Sequence, residues 1–129
     1  MSDDGLNAEG LVWAKATTLD ELWEGDFVDV EVDGEIVIIL HREGGELRAF
    51  QGMCPHQEVL LADGQIDFED GTITCSAHEW QFSMENGKGI NPRGCRLFQY
   101  EVRLDGNDVL LGIPTDGRLR RLRHEAEDA

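Results

Sequence analysis

The chain has 129 residues, 40% of them hydrophobic and 29% charged, enough to bury one core without covalent staples. Its net charge of −16, from 27 acids against 11 bases, repels phosphate backbones and anionic lipid, which argues against nucleic-acid and membrane-surface partners. The longest apolar run, Ile36 to Leu40, is far too short to span a bilayer, and the opening MSDDGLNAEG lacks the features of a secretion signal, so a cytoplasmic protein is expected. Such an acidic surface serves solubility, or steers the molecule onto a basic docking face.

Residues 1–10 are an acidic lead-in expected to be flexible. Thr18-Leu19-Asp20-Glu21-Leu22 predicts a short helical turn, with Thr18 as cap and Glu21 three places on. Strand signals then take over. Phe27 to Val32 alternates apolar and acidic residues, Asp33-Gly34 is a hairpin turn, and Glu35 to His41 is a β-branched run suited to a central strand. Gly44-Gly45 turns the chain again, and Glu46 to Phe50 is the returning strand. From Gly52 to about Phe98 the pattern breaks into glycine-rich segments, with short strands at Thr72–Thr74 and Gln81–Met84. Strands resume at Gln99 to Leu104, turn at Asp105-Gly106-Asn107, and end with Asp108 to Ile113. The expected fold is all-β: one domain over 1–129, with an antiparallel β-sandwich or small barrel as base (11–51 and 99–114). A subdomain of about 52–98 is inserted into it, and the termini, 1–10 and 115–129, are flexible. In the tail, Arg118, Arg120, Arg121, Arg123 and His124 form a basic cluster, a docking element or, as favoured here, a solvated terminus.

The inserted segment holds all three cysteines. An odd count without a secretion signal favours metal ligation over a disulfide framework. Cys54-Pro55-His56 and Cys75-Ser76-Ala77-His78 each present one thiolate and one imidazole from a short loop. Four such donors match a 2Fe–2S centre in which two histidines replace two cysteines on one iron. Structural zinc also takes two cysteines and two histidines, but its usual pattern pairs the cysteines together and the histidines together. The mixed loops favour iron–sulfur chemistry, and a zinc-stabilised, non-redox binding module is the alternative. A self-contained oxygenase is excluded by length, since no second metal site or substrate pocket can be read from the other residues.

The run GMCPHQEVLLADG, then ITCSAHEWQF, then GKGINP resembles the Rieske ferredoxins of bacterial multicomponent di-iron monooxygenases, the toluene, alkene and isoprene systems. The resemblance covers about Leu19 to Ile113. It implies a soluble, monomeric Rieske fold whose inserted subdomain binds one 2Fe–2S cluster through Cys54, His56, Cys75 and His78. It also implies a carrier, not an enzyme, that takes electrons from an NADH-dependent flavin and iron–sulfur reductase and passes them to a di-iron hydroxylase. His56 and His78 would form the exposed edge through which electrons pass. Ring-hydroxylating dioxygenase ferredoxins and the small subunits of nitrite reductases share the motif and are the alternative partners' carriers. Unlike respiratory Rieske proteins, the chain has Val59 and Ala77 where a disulfide would stand, and Trp80 and Phe82 where hydroxyl donors would stand.

The remaining candidates are weighed singly. Cys95 is expected to be a partly buried free thiol, because four ligands are already assigned. The family resemblance implies that the loop of Pro92 lies near the cluster and that Pro92 is part of its cover. Trp80 either shields the cluster and meets a partner or simply anchors the subdomain. Glu58 and Glu79 either place charge at the rim of the histidine edge or are ordinary surface acids. Met53, Pro55, Leu60, Leu61 and Phe82 are expected to supply an apolar shell. His41 and His124 receive no role.

Overall fold

In the computed structural model, residues 11–32, 34–55, 59–76, 80–91 and 95–115 are described. They form β1 (Leu11–Thr18), β2 (Asp26–Val32), β3 (Glu35–His41), β4 (Leu47–Gln51), β5 (Gln65–Asp67), β6 (Thr72–Thr74), β7 (Gln81–Ser83), β8 (Gly89–Asn91), β9 (Gln99–Asp105) and β10 (Asp108–Pro114). A single 3₁₀ turn, Leu61–Asp63, lies between β4 and β5. All the strand pairings are antiparallel, so this is an all-β fold.

Six strands make the base in the order β1-β10-β9-β4-β3-β2, and the other four make a second sheet in the order β5-β6-β7-β8. The base is two three-stranded halves joined by only two residue pairs, Ala49 with Tyr100 and Phe50 with Gln99. That narrow seam lets the sheet curl. Its edge strands β1 and β2 face each other across a groove of about 380 Å³, lined by Val12, Ala14, Val32, Ile113 and Thr115.

The apolar run in β3 is continuous because both of its faces are covered. Val37 and Ile39 join Ala49, Val109 and Leu111 in the core of the base. Ile38 and Leu40 point the other way, into a second core beneath the inserted segment, with Phe50, Ile73 and Phe82. β2 packs Val28, Val30 and Val32 against the core of the base and Phe27 against the second core, and leaves Asp26, Asp29 and Glu31 exposed. Paired positive-φ glycines, Gly44 and Gly45 (both φ +88°), make the turn between β3 and β4.

Several elements differ from the sequence expectations, the 3₁₀ turn at Leu61–Asp63 among them. The chain is already a strand from Leu11, pairing along β10 with a bulge between Lys15 and Thr17. The helical turn expected at Thr18–Leu22 is instead the end of β1 and one tight turn, in which the Glu21 N–H donates to the Thr18 carbonyl at 3.0 Å. A capping threonine with an acid three residues on serves either structure. Fully buried Leu22, and Gly25 at φ +80°, stop the turn from propagating. His41 Nδ1, 3.0 Å from the Leu22 carbonyl oxygen, fastens this turn to the end of β3. The short strands β5 and β8 carry too little apolar pattern to announce themselves, and exist through pairing with β6 and β7.

Candidate metal centre

The inserted segment builds two loops of the same construction. Beyond the last pair of the β6–β7 hairpin, Thr74 with Gln81, the Cys75 N–H donates to the Trp80 carbonyl at 2.7 Å and closes the neck of a loop. Earlier in the chain, beyond an isolated bridge between Met53 and Leu60, the Cys54 N–H donates to the Val59 carbonyl at 3.0 Å and closes the neck of the first loop. Each begins with a cysteine whose N–H caps the loop. The first loop hangs from the base, as Gly52 donates to the Ile36 carbonyl and Leu61 to the Gly52 carbonyl, both at 2.8 Å. The 3₁₀ turn then carries the chain against the back of β6. There Gly64 lies so close that an added Cβ would collide with the Thr74 carbonyl and stand 3.1 Å from the Ser76 nitrogen.

Both loop cysteines are withdrawn from water: Cys54 is 3% exposed and Cys75 is 0% exposed. They share one apolar cluster with Leu61, Ile73, Phe82 and Leu97, and no disulfide joins them. Two thiols delivered by matched loops to one water-poor region are half of the donor set a mixed cysteine–histidine 2Fe–2S centre requires. A metal there supplies the countercharge that buried thiolates need. Cys95 enters the same apolar cluster from a third segment and is 6% exposed. That segment is held by the Gly89 N–H on the Cys95 carbonyl and the Leu97 N–H on the Gly87 carbonyl, both at 2.8 Å.

The other sequence candidates divide. His56, His78, Glu58, Glu79 and Pro92 lie outside the described residues. Trp80 is partly buried against the apolar cluster, and Phe82 is wholly buried inside it. Of the expected shell, Leu61 and Phe82 are in the cluster, Pro55 is buried, and Met53 and Leu60 stand half-buried at the neck of the first loop. The base contributes Ile38, Leu40 and Phe50, which sequence reasoning had not assigned to the site. The continuous run in β3 was the signal for them: a strand with no polar face has something packed on each side. Gln51, also unassigned, is buried between the first loop and the third.

Residues 12–101 match the family model of the Rieske 2Fe–2S domain. The chain belongs to the Rieske family. It is 40% identical to the ferredoxin component of the alkene monooxygenase system of Xanthobacter autotrophicus, over 86% of this chain and 93% of that one. It is 34% identical to the biphenyl dioxygenase ferredoxin subunit of a Pseudomonas species, over 78% of this chain and 92% of that one. Among solved structures it is similar to the ferredoxin of carbazole 1,9a-dioxygenase from Nocardioides aromaticivorans, with TM-score 0.70 and 29% identity over 80% of this chain and 98% of that one. This Rieske protein is therefore a ferredoxin, an electron-transfer component and not an enzyme, and its cofactor is a Rieske-type 2Fe–2S cluster. A zinc-only binding module is set aside with that membership. No helix among the described residues is long and apolar enough to cross a membrane.

Proposed function

We propose that Cys54, His56, Cys75 and His78 hold the cluster. On this reading the protein carries single electrons from an NADH-dependent flavin and iron–sulfur reductase to the di-iron hydroxylase of a multicomponent monooxygenase. The observation that carries this is the pair of matched loops, each opening on a buried cysteine in one apolar cluster and each bearing a histidine two or three residues on. When bound, the cluster accepts and gives up one electron at a time. The chain's own residues hold it and set its surroundings. Val59 and Trp80 accept the cysteine N–H groups and fix the loop mouths, while Leu61, Ile73 and Phe82 keep water from the cysteine side. The histidines would form the edge that meets the partners. One Rieske domain, with a base and an inserted cluster-binding subdomain, is enough for this role, as a cytoplasmic monomer.

The hydroxylase assignment follows the 40% identical relative, whose system is an alkene monooxygenase. The 34% identical relative and the carbazole dioxygenase ferredoxin favour a second reading, in which the acceptor is a ring-hydroxylating dioxygenase. Reconstitution decides between them. NADH consumption coupled to substrate oxidation should appear with reductase and a di-iron hydroxylase, and be absent with a dioxygenase terminal component. The reverse result would assign the protein to the dioxygenase branch. A purified protein without the visible absorption of a 2Fe–2S cluster would refute both.

A further inference from the structure

The two cysteine loops are closed alike but supported differently. The Cys75 loop crowns a regular ladder, since Thr74 pairs with Gln81 on one side and Gln65 on the other. The Cys54 loop has only the single bridge between Met53 and Leu60 beneath it. The missing ladder is replaced by a side chain. Gln51, the last residue of β4 and 1% exposed, donates from Nε2 to the Met53 carbonyl at 2.8 Å. Its Oε1 accepts the Phe98 N–H at 2.8 Å, and its own N–H donates to the Phe98 carbonyl, also at 2.8 Å. The peptide between Met53 and Cys54 is thus clamped at both ends, its oxygen by Gln51 and its N–H by the Val59 carbonyl. The same amide ties this peptide to Phe98, three residues beyond Cys95.

We propose that Gln51 is a positioning residue for the cluster: its side-chain amide fixes the Met53–Cys54 peptide against the third loop, and so fixes where the Cys54 sulfur stands. The proposal rests on Cys54 being a ligand. An aliphatic side chain at position 51 leaves the part-buried Met53 carbonyl and Phe98 N–H without their amide partner. A ligand loop released on one side samples several positions, and a cluster held by it samples several geometries and potentials.

The test uses the full-length, cluster-loaded protein with Gln51→Leu and Gln51→Met, both neutral, and Val109→Ala in the core of the base as a control for lost stability. Both Gln51 variants should load iron, show broadened electron paramagnetic resonance features, and change the reduced-to-oxidised ratio at a fixed applied potential about threefold or more. The control should unfold more easily with unaltered resonance lines and ratio. Loss of the cluster from Gln51 variants whose far-ultraviolet circular dichroism and cooperative melting persist would also support the proposal. Unchanged lines and ratio in both Gln51 variants would overturn it, as would loss of the whole fold in both, since Gln51 would then be an ordinary core residue. Cys54→Ser tests the premise separately: a wild-type spectrum in that variant would refute the ligand assignment, whatever the Gln51 variants show.

Discussion

Cys54, Cys75 and Cys95 meet in one apolar cluster with almost equal burial, so burial alone does not separate ligand from bystander. Loop construction does. Cys54 and Cys75 each open a closed six-residue loop that also holds a histidine, whereas Cys95 lies in a return segment between β8 and β9 with no histidine near it in sequence. Cys54→Ser and Cys75→Ser should therefore abolish the iron content and visible spectrum, while Cys95→Ser should retain both. Iron analysis beside the absorption spectrum checks all three, and loss of the cluster in Cys95→Ser alone would reverse the roles. At this scale the pairing of Cys54 and Cys75 was legible in the sequence, because thiols are chemically rare and their spacing survives without coordinates. Gln51 was not legible. A glutamine becomes conspicuous only when it is buried, and its burial depends on Phe98, which lies 47 residues away.

The elements were legible where both sides of a strand carried a pattern. β3 and β6 fall within their expected bounds, and β2, β4, β7, β9 and β10 differ by a residue or two at their ends. β1 was missed because Leu11–Thr18 mixes buried and exposed positions without strict alternation, its register being broken by the bulge after Lys15. The 3₁₀ turn was missed because it owes its place to Gly64, whose lack of a side chain lets it lie on β6. That contact is testable. Gly64→Ala would thrust a methyl group into the Thr74 carbonyl, one residue before Cys75, so the turn or the cysteine loop must move. Gly45→Ala, at φ +88° with open space around the new methyl, brings only the left-handed backbone penalty of roughly 1–2 kcal/mol. Gly45→Ala should lower the unfolding midpoint and leave the cluster spectrum unchanged. Gly64→Ala should lower cluster occupancy as well as stability. Equal occupancy in the two variants would show that the turn does not support the Cys75 loop.

Across the whole molecule, charge acts on both partner encounter and potential. The net charge of −16 should steer this ferredoxin onto a basic face of its acceptor, so its electron-transfer rate at low protein concentration should fall as salt rises. Stopped-flow reduction of the acceptor checks this, and a rate that holds while the Debye length shrinks from about 30 Å to below 8 Å would argue against steering. The same field bears on the cluster. Rieske potentials span roughly −150 to +300 mV, and hydrogen bonds to the sulfurs raise them by stabilising the added electron. At the two positions that match the respiratory hydroxyl donors stand Trp80, with a single indole N–H, and Phe82, which has nothing to donate and is wholly buried in the apolar cluster around the cysteines. A strongly negative surface further disfavours adding an electron, so the missing donor and the field act in the same direction. The expected midpoint lies at or below about 0 mV, in the lower part of the Rieske range. A carrier filled by an NADH-driven reductase works there, whereas oxidation of quinols needs the upper part. Voltammetry on the purified protein at low and high salt measures both contributions: the midpoint should be low in each, and rise as added salt screens the surface field. A midpoint above about +150 mV would mean that backbone donors in the two loops outweigh both effects, and would remove the ferredoxin from the low-potential branch.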